Sequence, residues 1–204
     1  MYLPTHFRED RLEVQHALIE ANPLGLLIVA SLDGLVADPV PFLLAPSEGE
    51  FGILRAHISR ANPQAAALAD VKECLVAFQA SEAYISPSWY ATKRETGKVV
   101  PTWNYAVVHA WGMPRLIEDT SWLRTQIDGL TALQEGSRPQ PWKVDDAPEP
   151  FVAAQIRGII GIEIPIARIE GKWKVSQNRS EADRAGVAEG LREAGDPMAD
   201  LVYS

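Results

Sequence analysis

The residues from Ala83 to Tyr105 combine flat aromatic side chains with hydrogen-bonding groups. This segment holds two of the six tryptophans and three of the five tyrosines of the chain. No apolar period typical of a core strand or a core helix runs through it. Because so aromatic a loop is unfavourable in water, we expect it to pack on something flat. A planar ligand, a partner subunit, or both satisfy that expectation.

The candidate groups in this segment fall into three chemical classes. They are aromatic rings for stacking (Trp89, Tyr90, Trp103 and Tyr105), polar groups for the edge of a heterocycle (Ser86, Ser88, Thr102 and Asn104), and the cations Lys93 and Lys98. The lysines could place positive charge near an electron-rich ring or a phosphate. An aromatic dimer interface is the alternative, and the two interpretations are compatible.

A second candidate group lies where a predicted strand meets a predicted helix, at His57, Ser59 and Arg60. His57 and Ser59 point to the same side of a strand. A phosphomonoester carries about −1.5 to −2 charges. It binds guanidinium groups, hydroxyls and the free N–H groups of a helix start. The alternative is a surface arginine beside a capped helix.

A third candidate group follows an isoleucine-rich strand near the C-terminus. It consists of Trp173, Lys174, Gln177 and Arg179, which together form a cluster of donors. The alternative is a strand edge that ends in a solvated tail.

Several common catalytic patterns are absent from the sequence. It contains no G-x-G-x-x-G, no G-x-x-x-x-G-K-[ST], no G-x-S-x-G and no H-E-x-x-H. None of the four histidines pairs with another histidine or a cysteine at ligand spacing, so we expect no metal site. No helix-turn-helix pair stands out.

The overall charge is acidic. The chain has 204 residues and a net charge of −8, with 19 basic against 27 acidic side chains and no basic block. Direct DNA binding would therefore need a local patch. No apolar run is long enough for a bilayer, no signal-peptide pattern opens the sequence, and Cys74 is the single cysteine. These features predict a cytoplasmic protein without a membrane partner.

The order of predicted elements indicates one domain over residues 1–204. The predicted helices cover residues 8–21, 59–69, 119–135, 148–157 and 180–194, and the predicted strands cover 24–31, 35–44, 51–57, 72–79, 83–86, 99–117, 158–169 and 173–175. Asp33-Gly34 predicts a hairpin turn, and Gly171-Lys172 a second turn. We expect an α+β fold, mainly antiparallel β, of about six or seven strands with peripheral helices. Pro39 and Pro41 mark an irregular strand edge, which a closed barrel would remove.

Several strings in the chain resemble the PaiB-type FMN-binding negative transcriptional regulators. The matching stretches are Met1–Phe7, His57–Gln64, Ala83–Tyr90, Val100–Tyr105, Arg138–Trp142 and Gly171–Arg179. Ser-Pro-Ser-Trp-Tyr and Pro-Thr-Trp-Asn-Tyr are the most specific. That family is similar to the pyridoxamine 5′-phosphate oxidase group, whose split β-barrels dimerise around flavin. The resemblance therefore implies a split β-barrel, bound FMN and a homodimer.

The resemblance also implies roles for individual residues. Ser59 and Arg60 match the step that holds the FMN phosphate, while Ala61 replaces a lysine of the oxidases, so Lys174 or Arg179 would complete the phosphate site. Trp173 resembles a tryptophan near the flavin. The stretch 102–104 matches contacts to the ring edge. The oxidases' Arg-x-His substrate motif is missing, which argues against pyridoxine phosphate oxidation.

Four functional hypotheses remain open at this stage. The first is a homodimeric FMN-binding regulator that acts on DNA, through a ligand or through a protein partner. The second is an FMN-dependent oxidoreductase with His57 or Tyr90 as proton donor. The third is a dimer that has lost its ligand. The fourth is a haem-binding variant that uses His57 or His109.

Overall fold

The computed structural model of the chain describes residues 1–31 and 34–203. Its strands are β1 (Arg8–Glu9), β2 (Leu24–Ser31), β3 (Gly34–Pro41), β4 (Leu43–Ala45), β5 (Ile53–Ser59), β6 (Cys74–Ile85), β7 (Thr102–Gly112), β8 (Arg115–Ile117) and β9 (Ile159–Lys174). Its α-helices are α1 (Leu12–Ala21), α2 (Gln64–Asp70), α3 (Ala91–Thr96), α4 (Thr120–Glu135), α5 (Glu149–Arg157), α6 (Glu181–Glu193) and α7 (Met198–Leu201).

The described strands form one nine-stranded sheet, which confirms the mainly antiparallel α+β fold. Hydrogen bonds connect the strands in the order β3-β2-β6-β7-β9-β5-β4, with β1 and β8 also paired to β9. Strands β2 and β3 form the expected hairpin, with Ser31 opposite Gly34, although Asp33 of the predicted turn lies outside the described residues. This path of strands is open. The expected closed barrel is therefore wrong, and Pro39 and Pro41 lie on the edge strand β3, where prolines are tolerated.

The three longest strands correct the predicted boundaries. Strand β6 joins two predicted strands, and β9 runs through the predicted turn at Gly171 and Lys172. Both residues pair with β1, Lys172 opposite Arg8 and Gly171 opposite Glu9, which keeps the chain extended. Pairing to β9 also places Arg8 in a strand, whereas the sequence predicted a helix there.

The predicted helix at 59–69 begins later than expected. Ser59 still pairs with Ile159 as the last residue of β5. A turn at Asn62 and Pro63 then leads into α2, whose first amide, Gln64 N, donates to Asn62 Oδ1 at 2.8 Å. Proline suits this first turn because it has no N–H to leave unpaired.

The chain divides into two compact units. Unit 1 contains residues 1–18, 79–108 and 170–204, and unit 2 contains residues 19–78 and 109–169. Strands β6, β7 and β9 each contribute one end to either unit. The single-domain interpretation stays a prediction.

Unit 2 has a core of aliphatic residues that alternate along its strands. On β2, β5 and β9 the buried positions include Leu27, Val29, Leu54, Ile162 and Ile164. This period of two places one side of each strand against the core. A satellite cluster joins α4 and α5 through Leu123, Val144, Val152 and Ile156.

Unit 1 has a core shared by strand ends and the C-terminal helices. Its buried residues include Ile85, Tyr90, Val108, Trp173, Val175, Val187, Leu191 and Met198. Ser180 Oγ accepts from Asp183 N at 3.2 Å, which confirms the predicted start of α6.

Among residues 1–31 and 34–203, no helix is long and apolar enough to cross a membrane.

Candidate functional site

In unit 1 the predicted aromatic loop folds into two short helical turns. Ser86 Oγ accepts from Ser88 N at 3.2 Å and opens a 3-10 turn at Pro87–Trp89. Helix α3 follows directly and ends at Thr96, and its C-cap residue Gly97 has a φ of 66°, which favours glycine. Lys93 Nζ donates to Ser88 Oγ at 3.0 Å, so two predicted site residues contact each other.

Helix α6, near the C-terminus of the chain, packs closely against this segment. A Cβ atom at Gly186 would lie 2.0 Å from Trp89 O, and one at Gly190 would lie 2.4 Å from Trp89 Cε2. Only glycine allows this close approach. Asp183 of the same helix accepts from Thr92 N at 2.9 Å and from Thr92 Oγ1 at 2.8 Å. The position of Trp89 is therefore fixed by residues almost a hundred positions away in sequence.

Asp183 is buried but remains a carboxylate. Burial by itself raises its pKa, but hydrogen bonds from Thr92 and Ser180, and the charge of Arg179, lower the pKa below its ordinary value overall. The ionised form is therefore the one that holds the segment.

Tyr90 is completely buried, and its hydroxyl has no hydrogen-bond partner among the described residues. The guanidinium of Arg179 lies 4.9 Å from the centre of its ring. Burial raises the pKa of Tyr90, and Arg179 opposes that rise. The structure thus brings together two predicted site residues, one before α3 and one before α6.

The turn after β9 is hydrogen-bonded to β7. Asn104 Nδ2 donates to Ser176 Oγ at 3.0 Å, and both residues are buried. Ser176 has a φ of 69°, a conformation unusual for a residue other than glycine. Gln177 holds the same turn, since its Oε1 accepts from Val175 N at 2.8 Å and its Nε2 donates to Trp173 O. Asn104, Trp173 and Gln177 therefore build this turn.

Two lysines lie beside the ring of Tyr105. The Nζ atoms of Lys172 and Lys174 lie 5.2 Å and 5.8 Å from its centre. Lys174 Nζ also donates to Thr102 Oγ1 at 2.5 Å and to Trp103 O. Burial, with repulsion from Lys172 and Arg179, lowers the pKa of Lys174.

An exposed aromatic surface lies next to these lysines. Trp103 is 53% exposed and Tyr84 49% exposed, and their rings meet edge to face at 5.8 Å between centres. A cavity of ≈ 470 Å³ is lined by Trp103 and Tyr105 together with Gln79 and Glu82. We call Tyr84, Trp103 and Tyr105 the aromatic shelf.

Lys98 is exposed in unit 1, whereas His57, Ser59 and Arg60 belong to unit 2. His57 Nδ1 lies 2.6 Å from Gln126 Oε1, which makes the imidazole the donor when the amide has this orientation. Ser59 Oγ accepts from Ala61 N at 3.2 Å. Arg60 Nη1 lies 3.4 Å from Glu118 Oε2, and both side chains are well exposed, so this ion pair is weak.

A second, smaller cavity adjoins these unit 2 residues. It measures ≈ 300 Å³ and is lined by Asp38, Pro39, Val40, Pro41, His57, Ile58, Ser59 and Asn62. Asn62 Nδ2 donates to Asp38 Oδ2 at 3.0 Å. The cavity therefore offers hydroxyl and imidazole groups, together with one carboxylate that opposes an anion.

The sequence interpretation missed three features of unit 1. Lys172 was not assigned, although its spacing of two from Lys174 places both on one face of a strand. Asp183 lies within the predicted helix at 180–194 and was not assigned to the site. No local signal indicated that Gly186 and Gly190 contact Trp89, because that contact is entirely tertiary.

Comparison with known protein families gives one extensive match. Residues 1–168 match the family described as "Putative FMN-binding domain".

Two curated relatives align over nearly the whole chain. An uncharacterized protein of Emericella nidulans is 37% identical over 230 residues, which cover 96% of this chain and 92% of the relative. The "Protease synthase and sporulation protein PAI 2" of Bacillus subtilis is 29% identical over 199 residues, covering 98% of this chain and 93% of the relative.

Two solved structures resemble this one in fold. The flavocytochrome Anf3 from Azotobacter vinelandii has a TM-score of 0.59 at 17% identity and covers 88% of this chain and 75% of its own. The FAD and heme binding protein from Mycobacterium smegmatis has a TM-score of 0.58 at 17% identity, and the match covers 81% of this chain and 71% of that protein's chain. At these identities the likeness concerns the fold alone.

Proposed function

This chain belongs to the PaiB-type FMN-binding family, and from that premise we propose that it is a homodimeric flavoprotein that binds FMN and regulates transcription. The observation that carries the flavin proposal is the family match over residues 1–168, together with the aromatic shelf beside Lys172 and Lys174. The chain offers aromatic rings that can stack on a planar heterocycle and cations that can bind an anionic group of the same ligand.

The residues of unit 1 fit a flavin in shape and in charge. Trp103 is half exposed and offers one face to a planar ring. Lys174 supplies positive charge beside the ring of Tyr105, and Arg179 supplies it beside the ring of Tyr90. When bound, FMN would supply one- and two-electron redox chemistry. Asn104 and Gln177 act as positioning residues, because their side chains are engaged within the turn after β9.

The assignment of Ser59 and Arg60 to the flavin phosphate stays a prediction. A phosphate at this position would have to attract Arg60 away from Glu118. Breaking this ion pair requires little free energy, because an exposed ion pair contributes at most about 1 kcal/mol to the stability of the folded protein. Repulsion from Asp38 in the neighbouring cavity opposes it.

Homodimer formation is proposed from the exposed apolar residues of unit 1. Val100, Trp103 and Tyr84 are all substantially exposed. Large exposed apolar groups that lie together mark interaction surfaces. A second copy of this chain would cover them and shield a bound ring from water.

The decisive experiment for these proposals measures the visible absorbance spectrum and the molecular mass of the same purified sample. We expect the purified protein to bind FMN with a visible flavin spectrum and to have twice the chain mass by size exclusion with light scattering. Arg60→Ala tests the phosphate contact. If Arg60 binds the FMN phosphate, the variant weakens FMN about tenfold, the loss of one charge-assisted contact, and leaves riboflavin unchanged; an unchanged FMN affinity assigns the phosphate to other residues. A colourless monomer that ignores added FMN would contradict the proposal.

The regulatory proposal rests on the family and on the PAI 2 relative, whose printed name connects it with protease synthesis and sporulation. The net charge of −8 disfavours direct contact with DNA, so we propose that regulation acts through a ligand or a protein partner. Filter binding of DNA against salt tests this point. Sequence-specific retention with a steep salt dependence would instead establish direct repression.

The same acidic charge is compatible with a second candidate function, an FMN-dependent oxidoreductase. Such an enzyme needs no nucleic-acid surface. Anaerobic mixing of the FMN-loaded protein with NADPH should then bleach the flavin absorbance. If no common reductant bleaches it, this candidate fails.

A further inference from the structure

Three buried or half-buried cations of unit 1 have no carboxylate within ion-pair distance among the described residues. None of Lys172, Lys174 and Arg179 forms an ion pair with a carboxylate of the part of the chain that the structure describes. By contrast, the half-buried Arg55, Arg124 and Arg184 all do. The other described cations for which no ion pair is seen, such as Arg94 and Arg192, are exposed to solvent. In a chain with eight excess negative charges, a cluster of cations without partners requires an explanation.

Burial makes this arrangement unfavourable without an anion. Lys172 is 8% exposed, and its ammonium lies 5.8 Å from the ring of Tyr2 and 5.2 Å from that of Tyr105. Aromatic faces offset part of the desolvation of a cation, although less completely than a carboxylate. Lys174 is half-buried and repelled by both other cations. Asp183 interacts electrostatically with Arg179, but its oxygens already accept from Thr92.

The same cluster has unused hydrogen-bond donors. Lys174 has three N–H donors, of which Thr102 Oγ1 and Trp103 O accept two. Arg179 presents a planar fork, the geometry that suits a phosphate. The guanidinium of Arg179 also lies over the buried ring of Tyr90. Its remaining N–H groups and the third N–H of Lys174 are donors for an oxyanion.

The aromatic shelf indicates what accompanies the anion. The ≈ 470 Å³ cavity is lined by Trp103 and Tyr105, and both lysines flank Tyr105. Glu82 also lines it, and its carboxylate accepts from Gln79. An anion is therefore expected at the lysines and an uncharged ring at the aromatic side chains.

From this juxtaposition we propose that Lys172, Lys174 and Arg179 bind the phosphate of an aromatic phosphomonoester whose ring packs on Trp103 and Tyr105. The phosphate has two sources, the FMN of the proposed function or a separate aryl phosphate. In the first case the inference rests on the proposed function and moves the phosphate contact from Arg60 to these three residues. In the second it defines a ligand site independent of flavin.

The test uses phenyl phosphate as the probe and phenol as its uncharged control. By calorimetry, the full-length protein should bind phenyl phosphate at least about tenfold more tightly than phenol. Lys172→Met and Lys174→Met should each weaken phenyl phosphate by about tenfold to a hundredfold. Arg192→Met, at an exposed cation of the same unit outside the cluster, is the matched control and should leave the affinity unchanged.

A measurement on the unaltered protein keeps the test valid if a variant folds poorly. The ¹³Cε resonance of Lys174, followed against pH, reports its protonation directly. Saturating phenyl phosphate should raise the Lys174 pKa, because an adjacent dianion favours the charged ammonium.

The flavin arm identifies the source of the phosphate. If Lys174→Met weakens FMN and leaves riboflavin unchanged, the FMN phosphate is the ligand. If the variant leaves the ratio of FMN to riboflavin affinity unchanged but loses phenyl phosphate, the site takes a separate phosphate. If no flavin binds but phenyl phosphate does, the proposed function fails while this site stands. The inference is overturned if phenyl phosphate binds no better than phenol, or if no cluster variant alters either ligand.

Discussion

Replacing Gly190 by alanine should lower the free energy of unfolding, although alanine is the better helix former. Gly190 lies inside α6, where an unhindered change to alanine gains about 1 kcal/mol. The new Cβ would lie 2.4 Å from Cε2 and 2.5 Å from both Cδ2 and Nε1 of Trp89. Three atoms of one indole would have to move together.

The expected magnitude follows from these opposing effects. Inserting a methyl group into a packed interior typically costs about 1–3 kcal/mol. Because the new contacts are as short as 2.4 Å, the upper part of this range, about 2–3 kcal/mol, applies. After the gain of about 1 kcal/mol in helix propensity, we expect a net loss of about 1–2 kcal/mol for Gly190→Ala. Gly186→Ala should lose more, because its Cβ would meet a backbone atom, Trp89 O, at 2.0 Å. A backbone carbonyl cannot rotate away as a side chain can.

Urea unfolding followed by circular dichroism measures the change. Ala185→Gly is the matched control, since Ala185 is an exposed neighbour on α6 and its replacement should cost only the helix propensity, about 1 kcal/mol. In addition, the shift of Trp89 should alter the native tryptophan emission of the Gly190 variant but not of the control. An increase in stability of Gly190→Ala, as for an unhindered helix glycine, would refute the close packing of α6 on Trp89.

Three further predictions concern buried polar groups. Asp183→Asn should destabilise the protein at neutral pH. Folding lowers the pKa of Asp183, so its contribution to the free energy of unfolding is present above the unfolded-state pKa and disappears as the pH falls through the folded-state pKa. The urea unfolding curves of Asp183→Asn and of the parent protein should therefore converge in acid. Asn104→Ala should cost about 1–3 kcal/mol by leaving the Ser176 hydroxyl unpaired, and adding Ser176→Gly should recover part of it, because glycine suits the φ of 69°. Burial, with the nearby Glu73, raises the pKa of the Cys74 thiol to about 12. Ellman's reagent should therefore label this thiol only as fast as the protein unfolds. Rapid labelling of the native protein would contradict the burial of Cys74.

The features of the fold that local sequence determines were predicted well. Asp119 caps α4, with its carboxylate accepting from Trp122 N at 2.7 Å, and Ser180 caps α6. The pairing of β2 with β3 followed from two apolar runs around a turn signal. Capping and hairpin formation depend on residues within a few positions of each other, so the sequence contains the necessary information.

Long-range pairing explains the strands that the sequence divided wrongly. Gly171 and Lys172 form a plausible turn when considered alone. They remain extended because β1, more than 160 residues earlier in the chain, supplies their hydrogen-bond partners. A short segment cannot reveal whether a distant strand will satisfy its backbone groups.

The candidate site shows the same division between local and tertiary information. Trp103, Lys174 and Arg179 were recognisable as chemical types, but their surroundings were not. The absence of ion pairs around Lys174 in the described structure depends on where every carboxylate of the folded chain lies. Composition indicated an acidic protein in which direct DNA binding would need a local basic patch, whereas the folded unit 1 gathers positive charge locally.

The C-terminal helix connects the packing of unit 1 to its proposed chemistry. Arg179 immediately precedes the Ser180 cap, so the direction of α6 sets where its guanidinium meets Tyr90. The same helix fixes Trp89 through Gly190 and binds Thr92 through Asp183. A change that tilts α6 should therefore affect anion binding as well as stability. Mutual repulsion would otherwise drive the three cations apart, so packing of α6 holds the cluster ready for a ligand at some cost to the stability of the unliganded protein.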